Sequence, residues 1–167
     1  MKKTILLLTA VAFMAVSCNN NSGNSTEAQT ESTTAAATTE EETSGNEITL
    51  NAGDDMKYDL NEIRVKEGEQ VSITLRHTGK LTKDAMGHNF VLLASGVSLA
   101  DFAAKAIQAK ATDYIPEGTN EVIAHTKLIG GGESDTIEFT APAKGTYEFL
   151  CSFPGHSALM KGTFIVE

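Results

Sequence analysis

From Glu47 to the end of the chain, apolar and polar residues alternate with a period of two. Ile63 and Val65 alternate with Arg64 and Lys66, and Val71, Ile73 and Leu75 alternate with Ser72, Thr74 and Arg76. Residues 136–140 and 146–151 repeat the pattern. Successive side chains of an extended strand point to opposite faces, so each run reads as a strand with one buried face. Residues 47–50, 89–94, 121–124 and 163–166 bring the set to about eight short strands. Gly68, Gly79, the Gly130-Gly131-Gly132 triplet and residues 142–145 punctuate them. Short strands at regular spacing with turn signals between them predict an all-β domain, an antiparallel sandwich or barrel. One segment breaks the rhythm. Ser98 is an N-cap residue, Asp101 falls in the first turn, and Leu99, Phe102, Ala103, Ala106 and Ile107 recur at helical spacing. This predicts one amphipathic helix over residues 98–110, inserted between strands.

The alternating region, residues 47–167, is preceded by two segments of different character. Residues 1–17 combine Lys2 and Lys3, an apolar run from Ile5 to Val16, and small residues after it. That is the layout of an export signal, and the run is shorter than the roughly 20 residues a membrane-spanning helix needs. Ala15-Val16-Ser17 followed by Cys18 resembles the cleavage box of bacterial lipoproteins, although Ala15 stands where Leu is usual. The resemblance implies that Cys18 becomes a lipidated N-terminus. Residues 19–46 hold five Glu, no Lys or Arg, and no aromatic or large aliphatic residue. Such a stretch buries too little apolar surface to offset its ordering entropy, so residues 18–46 read as a disordered tether. A flexible coil of that length reaches roughly 30 Å. The expected placement is therefore a domain held at a bacterial membrane by a lipid anchor alone, in the periplasm or at the cell surface.

The chain carries a formal net charge of -9, of which -6 belongs to residues 47–167. That sign argues against nucleic acid, or a bare anionic membrane surface, as a partner held by charge. Cys18 and Cys151 are the only cysteines, which excludes a disulfide-dense scaffold and any metal site of four thiolates.

The chemistry concentrates near the C-terminus, in Cys151-Ser152-Phe153-Pro154-Gly155-His156-Ser157-Ala158-Leu159-Met160. A thiolate, an imidazole and a thioether lie within ten residues, at a strand end and in the loop that follows. Singly they read as a buried thiol, a loop histidine and a core methionine. Together they suggest a ligand set, because Pro154 and Gly155 make a tight loop that can turn all three toward one point. Gly87-His88-Asn89 supplies a second imidazole just before another strand. Two imidazoles, one thiolate and a weak axial thioether select copper for electron transfer. Structural zinc prefers four strong ligands. A cysteine–histidine hydrolase needs an oxyanion hole, for which the sequence offers no support.

Three blocks, Met86-Gly87-His88-Asn89, residues 122–130 and residues 151–163, resemble the azurins, blue copper proteins of the cupredoxin family. The Cys-x4-His-x3-Met spacing is similar to theirs. The resemblance implies a Greek-key cupredoxin β-sandwich with the helix as an external flap. It implies one type 1 copper ion held by His88, Cys151 and His156, with Met160 and the backbone carbonyl of Gly87 as weak axial contacts. It further implies that the Asn89 N–H donates to the Cys151 sulfur, bracing the two ligand loops, and that one ring edge of His156 reaches the surface. Met86, Phe153, Pro154 and His156 would then form an apolar electron-entry patch, with plain core packing of Met86 and Phe153 as the alternative. His77 and His125 read as structural or surface histidines. Two features depart from the family: the usual disulfide near the domain start has no cysteines here, and Phe90 stands where many azurins bury tryptophan. The implied function is single-electron transport, without enzymatic activity, between redox proteins such as c-type cytochromes or other copper proteins. The alternative is a copper carrier or buffer that does not cycle its redox state.

Overall fold

The structure, a computed structural model, describes residues 46–167; the expectations for the export signal, Cys18 and the tether lie outside them. Eight strands form in the order β1 (Glu47–Ala52), β2 (Glu62–Val65), β3 (Gln70–His77), β4 (Val91–Leu93), β5 (Val122–His125), β6 (Ser134–Thr140), β7 (Gly145–Leu150) and β8 (Lys161–Val166). They make two sheets, β1-β3-β6 and β2-β8-β7-β4-β5. Alternation in sequence becomes alternation in burial. Ile48, Leu50 and Ala52 of β1 point inward, as do Val71, Ile73, Leu75 and His77 of β3. Packed with Phe149, Phe164, Phe90 and Leu92 of the other sheet and its approach, they form the main core, and Cys151 and Met160 belong to it.

The pairing is mixed rather than antiparallel. β1 runs parallel to β3 and β2 parallel to β8, while the other pairs are antiparallel. The cause lies in the connections: the chain changes sheets between β1 and β2 and again between β2 and β3, so β1 and β3 enter their shared sheet from the same end. Periodicity reports which face a side chain takes; strand direction is not encoded in it.

β4 is buried on both faces. Its outer side chains, Val91 and Leu93, meet Phe102 and Ala106 of the helix α2 (Leu99–Ala106), together with Tyr114, Ile115 and Leu150. The Ser98 hydroxyl caps α2 by accepting from the Asp101 N–H. The helix is shorter than the predicted 98–110. After Ala106 the chain tightens into i-to-(i−3) bonds, Gln108 to Lys105 and Ala109 to Ala106. A 3-10 turn over Lys110–Thr112 follows, and Asp113 and Tyr114 then take positive φ values of 53° and 63°. This early unwinding turns Tyr114 and Ile115 back into the core instead of prolonging a helix whose next apolar residue, Ile107, is exposed. A second helix, the single turn α1 (Lys83–Met86), was not legible in the sequence, because four residues carry no periodicity.

Candidate metal centre

Both ligand-bearing segments emerge at one end of the five-stranded sheet, from neighbouring strands: His88 precedes β4 and Cys151 follows β7. His88 is fixed through its backbone, which exchanges two hydrogen bonds with Ile129 at 2.9–3.0 Å. The run after β5 that the sequence marked thus serves as a second wall for the His88 segment. Gly87 is required for this closeness: a Cβ there would lie 2.6 Å from the Lys83 carbonyl oxygen and 2.9 Å from Leu128 Cγ. In the other segment Gly155, at φ 83°, starts the turn that carries His156. The loop closes on itself, with the Met160 carbonyl accepting from the Cys151 N–H at 3.0 Å and the His156 carbonyl accepting from the Met160 N–H at 2.8 Å.

The ligand atoms of His88, Cys151 and His156 all lie within 4.8 Å of one another. Cys151 Sγ is 3.6 Å from His156 Nδ1 and 3.8 Å from the Gly87 carbonyl oxygen. His88, Cys151 and Met160 are 0% exposed and His156 is 4% exposed. The anticipated surface edge of His156 is therefore a narrow one, because the Phe153 ring packs against it at a tilt of 44°, with centroids 4.6 Å apart. Met86, Phe153 and Pro154 are half-buried. The same loop exposes Ala158, a further candidate for the patch, and, at 60%, Leu159, to which the sequence did not point.

Burial sets the protonation of the ligands. It pushes the Cys151 thiol up to about 11, against the pull of the Asn89 and Phe153 backbone N–H groups that donate to the sulfur. Burial also pushes His156 down to about 4, helped by His88 and His77, and lowers His88. Both imidazoles are thus neutral at physiological pH. His88 Nε2 lies 2.9 Å from the Gly53 carbonyl oxygen, which only accepts, so Nε2 carries the proton and Nδ1 the lone pair. That Nδ1 is buried and has no hydrogen-bond partner. A buried lone pair facing a thiol and a second imidazole is what a metal ion satisfies, and thiolate with imidazole suits copper.

Two sequence-marked residues take supporting places. Asn89 ties the loops together: Oδ1 accepts from the Ser152 N–H at 2.9 Å, while Nδ2 donates to Ser152 Oγ at 2.8 Å and to the Asp113 carbonyl at 3.2 Å. Phe90 is fully buried, with its ring centroid 5.2 Å from that of Phe149. His125 is exposed, its Nδ1 near the Thr126 carbonyl, whereas His77 is buried beside His88. Sequence reasoning missed the Gly53 carbonyl, the contact of His77 with the site, and Tyr58. The Tyr58 hydroxyl donates to the Asn89 carbonyl, and burial pushes its ionisation well above the usual range.

Residues 44–167 match the family model for copper-binding proteins of the plastocyanin/azurin type. The chain belongs to the plastocyanin/azurin family. Among members of that family it is 45% identical to azurin-2 of Alcaligenes xylosoxydans xylosoxydans over 121 residues, 70% of this chain and 94% of the relative. To the azurin of Pseudomonas fluorescens biotype C it is 40% identical over 129 residues, 72% of this chain and 98% of the relative. The crystal structure of reduced auracyanin from Roseiflexus castenholzii superposes with a TM-score of 0.68 at 36% identity, covering 74% of this chain and 98% of that one. Family membership and donor chemistry agree on copper as the metal, with His88, Cys151, His156 and Met160 at its site. The fold is the β-sandwich of cupredoxins.

Proposed function

We propose that this chain is a blue copper electron carrier, exported and held at a bacterial membrane by lipid on Cys18. The observation that carries the redox reading is the ligand cluster: a buried thiol and two neutral imidazoles converge within 4.8 Å, with His88 Nδ1 left free. Bound copper supplies a one-electron Cu(II)/Cu(I) couple. The chain's own residues keep the site rigid and dry. Gly53 and Ile129 fix His88, Asn89 fixes the Cys151 loop, and the three fully buried ligands exclude water. Ligands held in this way need little rearrangement when charge changes, which favours electron transfer over a carrier that releases metal through mobile ligands. The Gly87 carbonyl oxygen, 3.8 Å from the sulfur, would be a further weak contact for the ion, beside Met160.

Electrons pass through the His156 side of the site, where Phe153 packs against the ring, with Met86 and Pro154 as the further residues of the entry patch. The partner is another exported redox protein, such as a c-type cytochrome or a second copper protein, docking through apolar contact. Among the described residues no helix is long and apolar enough to cross a membrane. Adding Cu(II) to the apo domain should give an intense thiolate-to-copper absorption that a mild reductant bleaches and an oxidant restores. A colourless complex would defeat the redox reading. For the anchor, Cys18→Ala should release the protein from the membrane fraction or leave its leader uncut. Wild-type protein found wholly in the soluble fraction would defeat the lipoprotein reading.

A further inference from the structure

Tyr58 sits in the connection between β1 and β2, 31 residues before Asn89 in sequence, with its ring against Phe149 at 5.7 Å between centroids. Its hydroxyl donates to the carbonyl of Asn89. That carbonyl belongs to a fully buried residue. The same Asn89 presents its backbone N–H to Cys151 Sγ and its side chain to Ser152. Asn89 is thus held at three points: by Ser152 and Asp113 through its amide, by the His88–Ile129 ladder on its N-terminal side, and by Tyr58 through its carbonyl.

We propose that Tyr58 is a positioning residue of the copper centre, whose hydroxyl sets the hydrogen bond from the Asn89 N–H to the Cys151 sulfur and thereby raises the reduction potential. The inference rests on the copper reading above. A hydrogen bond to the thiolate withdraws electron density from it, which weakens its donation to Cu(II) more than to Cu(I) and favours the reduced state. Removing the Tyr58 hydroxyl leaves the Asn89 carbonyl buried and unpaired, so the peptide shifts to relieve it and the N–H moves off the sulfur.

The test is Tyr58→Phe in the copper-loaded protein, with Tyr147→Phe as its control. The Tyr147 hydroxyl donates to the Ala143 carbonyl at 2.6 Å, on the far side of β7 from the ligand loop, so its loss removes the same chemical group remotely. Tyr58→Phe should keep the blue band and lower the preference for Cu(I) by about three- to tenfold. That is read as a midpoint about 30–60 mV lower, at 59 mV per tenfold for one electron. The Asn89 amide proton of the Cu(I) protein should move upfield in the same variant. Tyr147→Phe should lower thermal stability and leave both the midpoint and that resonance in place. A blue Tyr58→Phe with an unmoved midpoint, or equal shifts in both variants, overturns this inference alone. A wild-type protein without the blue band overturns the copper reading and this inference with it.

Discussion

The imidazole of His77 lies stacked on that of His88, with ring centroids 4.4 Å apart and planes inclined by 22°. His77 Nε2 sits 2.8 Å from the Met86 carbonyl oxygen, and its Nδ1 accepts from the Gly79 N–H at 3.1 Å. The acceptor role of Nδ1 places the proton on Nε2, so a neutral ring joins the loop after β3 to the segment that carries His88. Replacement by an apolar residue of similar size strands both backbone groups. His77→Leu should lower apo stability by about 1–3 kcal/mol in denaturant unfolding. The blue absorption should survive, since no ligand is lost.

Cys151 is the one thiolate of the set. Cys151→Ser should abolish the intense thiolate-to-copper band, because a hydroxyl does not replace a deprotonated sulfur. A variant as blue as the parent would take Cys151 out of the site.

The protonation states predict a proton count. At pH 7 the Cys151 thiol, at about 11, holds its proton, while His156, at about 4, and His88, lowered by burial, hold none at their metal-facing nitrogens. Copper uptake should therefore release one proton per ion, measurable by calorimetry in buffers of different ionisation enthalpy. For the apo domain the two groups act in opposite directions. His156 binds protons less readily folded than unfolded, so stability declines as pH falls from 6.5 toward 4. Cys151 binds its proton more tightly when folded, so stability declines as pH rises from 9.0 toward about 11. Thermal melts of the apo domain should be highest between those limits.

Electron entry beside His156 is tested by charge. Met86→Lys places an unpaired charge in a contact that must lose water, which is costly. It should slow electron self-exchange several-fold with little spectral change, whereas Thr140→Lys, exposed on β6 of the other sheet, should not. Equal slowing by both variants, with strong salt dependence, would instead indicate steering by overall charge.

What the sequence made legible follows from the range of each interaction. Val71–Leu75 and Thr146–Leu150 announce strands because side-chain alternation is local. Cys151, His156 and Met160 announce a site because one loop carries all three. His88 could be added because a strand begins just after it. The Gly53 carbonyl is silent in sequence, since any residue has a carbonyl and its partner is 35 positions away. Tyr58 looks like one more aromatic in a strand connection until its hydroxyl is found on Asn89, and His77 looks like an ordinary inward residue of β3 until α1 brings Met86 against it. The length of α2 was over-read because Ile107 continues the helical spacing, while the turn at Asp113 and Tyr114 depends on tertiary burial.

β4, sealed by the sandwich on one side and by α2 on the other, has a kinetic meaning. Its amides have no local route to solvent, so they should exchange hydrogen for deuterium only when the whole domain opens. The residue that leads into it is Asn89, and before that His88. His88 is thus attached to the part of the molecule that should open last, so its position should be lost only when the whole domain unfolds.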